Sequence, residues 1–248
     1  MKGIVMDTEI RAESPVKYAP RLLGAAFLFV ILTSLAGGLL LKSAAGSGSI
    51  ADVLVNVSQN PTLFRIDILD GLLNSTGIVA LAGLLYVVLR QQNKPLARIA
   101  LGLWLAEAIF YAIIQMGLLA LIPLSAEFVA AGAPAGSFYL TLGDFLYNGV
   151  YAQGMTIHMW FYCMGGLIWY YLFYRSNYIP RAISLFGLLA VILGLGSVVF
   201  QLLGYEVPIL VSLPLLPFEL AIGAWLLFLG IREQATAVNP SRQPAVQG

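Results

Sequence analysis

The chain has 248 residues, of which 60% are hydrophobic and 10% are Asp, Glu, Lys or Arg. Soluble domains run near about 45–50% apolar and about 25% charged, so a water-soluble surface cannot be built from this composition. The formal net charge is +1, with 13 Lys and Arg scattered along the chain, which excludes the basic stripe that nucleic-acid binding requires.

The first twenty residues are polar and charged, with Lys2, Arg11 and Lys17, and read as a cytoplasmic segment over 1–20. The apolar run after Arg21 is longer than the roughly 7–15 residues of a secretory signal core, which predicts a retained first span over 22–42. Residues 43–61 read as flexible Gly and Ser followed by a short apolar helix over 50–57, lying near the outer interface. Spans two and three are predicted over 66–89 and 97–123, each close to the about 20 apolar residues that a bilayer core demands. Residues 138–174 are too many for one span. They predict a fourth span over 152–174 with a partly wet outer extension that holds Asp144 and Asn148. Spans five and six follow over 182–204 and 210–231, and Pro214 and Pro217 predict a kink just before Glu219. Residues 233–248 read as a disordered cytoplasmic tail.

None of these runs alternates apolar and polar residues as a membrane barrel strand does. The expected fold is all-α: one polytopic helical bundle over 21–232 with about six transmembrane helices. Lys2, Arg11, Lys17, Arg21, Arg90, Lys94, Arg98, Arg175, Arg181, Arg232 and Arg242 fall on one side if there are six spans. The opposite loops carry Asp52, Glu127, Asp144 and Glu206 with few cations. By the positive-inside rule both termini face the cytoplasm. An odd number of spans would put the basic tail on the wrong side.

Ionisable groups inside the bilayer are costly and usually face a bundle interior or a water-filled cavity. Glu107 and Glu219 each fall roughly midway through the membrane at about 1.5 Å of rise per residue. Asp67, Asp70 and Asn74 form one stripe at the outer end of span two. Glu107, Tyr111 and Gln115 repeat every four residues on span three. Asp144, Asn148, Tyr151, Met155, His158 and Tyr162 stay within about 40° of one line on an ideal helix. These stripes and Glu219 predict a polar cavity that opens to the outer side and ends near the midplane. Its expected ligand contacts are Asp67, Asp70, Glu107, Tyr111, Gln115, Asp144, Asn148, Tyr151, His158 and Glu219. The bland alternative is structural: protonated or paired carboxyls that join helices by hydrogen bonds where hydrocarbon offers none.

Cys163 is the one cysteine and lies in an apolar run, so no intramolecular disulfide or cysteine-based zinc site is possible. His158 is the single histidine, and its plain role is a neutral imidazole bonded to a carboxylate. Proton relay, ligand contact and axial haem ligation are the other readings. No cofactor is otherwise indicated, and a metal site is not expected because no second histidine or Glu-x-x-His pair supports one. The absence of a mid-membrane lysine, a Gly-x-Ser-x-Gly elbow or a Walker loop argues against a retinal Schiff base, a serine hydrolase and a nucleotide-binding fold. No internal repeat of the kind found in many secondary transporters is visible.

Four stretches, GLWLAEAIF, AGAPAGSFYLTLGD, YLFYRSNYIPRAISLFGLLA and FELAIGAWLLFLGI, together resemble a family of bacterial multi-pass membrane proteins known only as domain of unknown function 4386. The resemblance covers roughly residues 18–232, and the Tyr-Arg-Ser-x-x-Ile-Pro-Arg stretch is its most specific part. It implies a bacterial cytoplasmic membrane and a single helical bundle, and it carries no activity.

Three functions fit these observations. The first is a non-enzymatic protein of the lipid bilayer that binds, senses or passes a small or lipidic molecule, with Glu107, Glu219, Asp70 and His158 as polar contacts. The second is an intramembrane acid/base enzyme on a lipid or isoprenoid, which needs Glu107 and His158 within about 8 Å of each other. The third is a structural or assembly subunit, homo-oligomeric or joined to a partner membrane subunit, whose Gly102, Ala106, Gly165 and Gly166 permit close approach.

Overall fold

A computed structural model describes residues 19–232. The expected N-terminal segment before Ala19, with Lys2, Arg11 and Lys17, and the expected tail over 233–248, with Arg242, lie outside the described residues. The chain is all-α, with no strand among the described residues. Its elements are α1 (Ala19–Ala45), α2 (Ile50–Gln59), α3 (Pro61–Leu89), α4 (Lys94–Ala130), α5 (Phe138–Asp144), a π-helical segment (Phe145–Ala152), α6 (Gln153–Ser176), α7 (Arg181–Leu202), a 3₁₀ turn (Ile209–Val211) and α8 (Leu215–Phe228).

Five segments are long and apolar enough to cross a membrane: α1, α3, α4, α7 and the stretch Ile209–Phe228. Helix α6 is outside that set because its Tyr, Trp and His residues dilute its apolar character. It nevertheless packs along α4 and α7 and completes the bundle. The long helices form a ring in which α1 touches α3 and α8, α4 touches α3 and α6, and α7 touches α6 and α8.

Two close approaches set this ring. Gly24 of α1 lies so near α8 that a Cβ there would collide with the backbone of Gly223, Leu226 and Leu227. Gly187 of α7 lies flat against the Phe218 ring of α8. Small residues at such crossings let backbones approach where the bilayer offers little hydrophobic drive between helices.

The α3–α4 and α6–α7 connections and the end of α8 meet at one end of the bundle. There Gln92 donates to the Tyr178 hydroxyl at 3.0 Å, and the Arg232 amide donates to the Tyr178 carbonyl at 2.9 Å. Asn177 ends α6 in the left-handed region, φ 58°, and Ile179 is fully buried. Arg90, Arg181 and Arg232 lie over Tyr86, Tyr174 and Trp225, the aromatic and cationic edge expected where a bundle meets a headgroup layer.

At the opposite end α2 docks on the protein. Ser49 and Asp52 form a reciprocal capping box, and the bonds from Ser49 hold the exposed Asp52 carboxyl below its ordinary value. The apolar face of α2, Val53, Leu54 and Val57, is buried with Phe64, Leu121 and Phe128. Helix α4 is longer than expected, 37 residues or about 55 Å. It projects beyond a hydrocarbon core of about 30 Å, and α2 and α5 pack against it.

Two expectations are corrected here. Span six is broken rather than kinked: after the 3₁₀ turn the chain turns again through 212–214, and α8 starts at Leu215 with only 14 residues. Proline supplies no backbone N–H and fixes φ, so Pro214 suits the position immediately before the helix, where the donor is not needed. The helical extension before α6 is present but winds as a π-helix over eight residues. Gly117 of α4 provides the surface against which Leu146 and Val150 of that segment lie.

Candidate functional site

The basic half of the ring is filled. Trp104 stacks on Tyr162 with centroids 5.8 Å apart and meets Phe27 and Trp169 edge to face. Its indole N–H donates to the Tyr162 carbonyl at 3.1 Å. Tyr170 meets Phe218 edge to face at 4.5 Å. These large side chains are almost wholly buried and form an aromatic plug.

Beyond the plug the ring encloses a cavity of about 370 Å³, within the about 300–1,000 Å³ range of small-molecule sites. Glu107, His158, Tyr162 and Glu219 lie at its plugged end. Glu107 and His158 are only 3% and 7% exposed, and His158 Nδ1 is 3.9 Å from Glu107 Oε1, too long for a hydrogen bond. The Tyr162 hydroxyl donates to Glu219 Oε1 at 2.7 Å, so the 3.2 Å contact between the Tyr162 and Tyr170 hydroxyls has Tyr170 as donor. Tyr111 covers His158, ring centroids 4.9 Å apart.

Further along, Asp67, Gly71 and Asn74 of α3 and Gln115 of α4 line the wall, with Tyr151 from the π segment opposite. Gln115 rests on Gly71, where any Cβ would occupy the amide's place. Asn74 donates to the Val30 carbonyl at 2.8 Å and the Thr33 hydroxyl at 2.7 Å, and so clips α3 to α1. Glu107 Oε2, Gln115 Oε1 and His158 Nδ1 are buried without a hydrogen-bond partner among the described residues. Such groups normally find partners in folded proteins.

The exposed lining residues come only from α1 (Ser34, Leu35, Gly38) and the stretch around the 3₁₀ turn (Ile209, Leu213). The mouth therefore lies between these two segments, on the side of the bundle, rather than simply at its outer end as expected. Its rim is apolar: Leu35, Ile209 and Leu213 are exposed, as are the neighbouring Leu39 and Leu210. The lining residues of α1 fall within the apolar run that spans the bilayer.

Seven of the ten expected contacts converge on the cavity: Asp67, Glu107, Tyr111, Gln115, Tyr151, His158 and Glu219. Three do not. Asp70 sits behind the wall against Gly37 of α1. Asp144 and Asn148 are exposed and bonded to each other at 2.7 Å. The π segment turns less per residue than an α-helix, so the stripe drawn at about 100° per residue fails upstream of Tyr151. The contribution of α1 was missed because that span holds no ionisable group within its membrane run. The pairs Thr33–Ser34 and Gly37–Gly38, which interrupt an otherwise apolar stretch, were the available signal.

Gly165 and Gly166, expected to let helices or partners approach closely, are used between helices of the chain, against Trp104 and against Val191 and Tyr170. Gly102 faces outward with nothing near it. Among the described residues no cluster of three or more His, Cys, Asp or Glu could hold a metal ion.

A family model described as Domain of unknown function (DUF4386) matches residues 22–230. The chain belongs to that family. No match was found among curated proteins or among solved structures.

Proposed function

We propose that this member of the DUF4386 family is a membrane protein that binds a small, membrane-soluble molecule in the cavity between α1, α3, α4, α6 and α8, as a receptor or as part of a transport route. The observation that carries this reading is the convergence of unpartnered buried polar atoms, on Glu107, Gln115 and His158, on one cavity whose rim is apolar. Three of the eight such atoms among the described residues line this one cavity, and each costs about 1–3 kcal/mol when left unsatisfied, which supports a ligand over helix-joining glue. The apolar rim between α1 and the 3₁₀ turn suits a molecule that arrives from the hydrocarbon rather than from water. The aromatic plug separates the cavity from the basic end, which the positive-inside rule assigns to the cytoplasm of a bacterial inner membrane.

The test is native mass spectrometry of protein extracted with its surrounding lipid and without detergent, beside a Gly38→Trp variant that narrows the mouth. A retained small molecule that is lost or reduced in the variant is the expected result. Absence of any retained molecule from every native preparation would sink the proposal.

A second reading, an intramembrane acid/base enzyme, is favoured by the Glu107–His158 approach of 3.9 Å. A chemically altered form of the retained molecule, formed by the wild type and not by Glu107→Gln, would support it.

A further inference from the structure

From the kind of polar atoms that line the cavity, we infer that its ligand is an amphipathic organic cation: an ammonium or guanidinium head on an apolar body. The inference rests on the binding role proposed above and names the head group that the site selects.

Gln115 Oε1 and an ionised Glu107 Oε2 accept hydrogen bonds, and His158 Nδ1 accepts in one tautomer. All three residues are more than nine-tenths buried and line the cavity. A partner for Glu107 and His158 must bring a donor, and an ammonium brings three donors and no acceptor.

Charge points the same way. Asp67, Glu107 and Glu219 are on the wall, whereas no lysine or arginine is among the described lining residues. An anionic head would find no counter-charge there and would lie against carboxyl groups. A neutral head could satisfy the acceptors but would gain nothing from the three acids, whereas a cation also holds them in their ionised form.

The rest of the lining suits a cation with an apolar tail. Tyr111, Tyr151 and Tyr162 also line the cavity, and aromatic rings attract cations, more strongly when desolvated. Apolar side chains, Ile31, Leu118, Met155 and Leu216, share the wall with Asp67, Asn74 and Gln115, and the exposed rim at Leu35, Ile209 and Leu213 is apolar. The head would therefore sit at the Glu107–Glu219 end and the tail would point to the portal between α1 and the 3₁₀ turn.

The experiment compares three probes with one tail and different heads, n-octylammonium, n-octanol and n-octanoate. Each is titrated calorimetrically into full-length protein in lipid nanodiscs, with protein-free nanodiscs subtracted. Octylammonium should bind at least tenfold more tightly than octanol, and octanoate should not bind. Glu107→Gln combined with Glu219→Gln should remove most of the preference for the amine, read as a fall in the ratio of octylammonium to octanol affinity to near one. Glu127→Gln, which alters an exposed carboxylate away from the cavity, should change nothing. Equal binding of amine and alcohol, or an amine preference that survives the double substitution, would overturn the cation assignment and leave the binding role standing. Failure of all three probes to bind would overturn the cation assignment, while the native mass spectrum decides the binding role separately.

Discussion

The two halves of the ring use the same helices for opposite ends. In the basic half, Trp104, Trp169, Tyr170 and Phe218 meet ring against ring, and the Trp104 indole and the Tyr162 hydroxyl have hydrogen-bond partners, although the Trp169 indole N–H is buried without one. In the other half, the same α4 and α6 present Gln115, Glu107 and His158 to open space with polar atoms unmatched. The division falls within one or two helical turns, at Tyr162, whose ring belongs to the plug and whose hydroxyl reaches the acid at the cavity's end. The difference between the halves is one of space: rings fill one side of that line, and the other keeps a cavity open to polar side chains.

Substitution of Trp104 by Ala tests this division most severely. It removes three ring contacts and one hydrogen bond, and should cost about 3–5 kcal/mol, read as a large fall in thermal or denaturant midpoint in nanodiscs. A variant as stable as the wild type would mean that the basic half is not the structural half.

Gly24→Ala comes next. The added methyl has only α8 backbone to press against, so the α1–α8 crossing must open, at about 1–3 kcal/mol. Loss of folded protein on heating, with recovery when Gly24 is restored, is the expected result. An unchanged midpoint would show that α1 and α8 can slide apart freely.

The smallest effect draws the sharpest line. Tyr162→Phe deletes the bond to Glu219 and should cost about 1 kcal/mol, whereas Glu107→Gln, at a carboxyl oxygen with no partner, should leave stability within about 0.5 kcal/mol of the wild type. Equal losses in the two variants would mean that Glu107 is structural glue, and the cavity would lose its claim to be a site.

Much of the site was legible before any fold was known, because each intramembrane acid is expensive and must find the interior. That reasoning led to Glu107, His158, Glu219 and Asp67, and they do meet. It failed for Asp144 and Asn148, which lie in the solvent-facing extension where polarity costs nothing and a π-helical stretch alters the winding. It was silent on α1, whose serine and glycines shape the mouth without bearing charge.

The amino-acid sequence by itself determined the class of this molecule. With no water in a bilayer core, every backbone donor and acceptor must be satisfied within a helix, so runs of about 20 apolar residues are enough to mark spans, and basic loops to orient them. Polar stripes marked the inward faces of α3, α4 and α6, but the inward face of α1 and the order of the ring were decided only in three dimensions. Lipid tails are as apolar as a protein interior, so a span without ionisable groups at depth is apolar all round and its periodicity does not mark its buried side. The packing of Gly24, the break before Leu215 and the π-helical turn set the ring, and the ring alone shows where a ligand would have room.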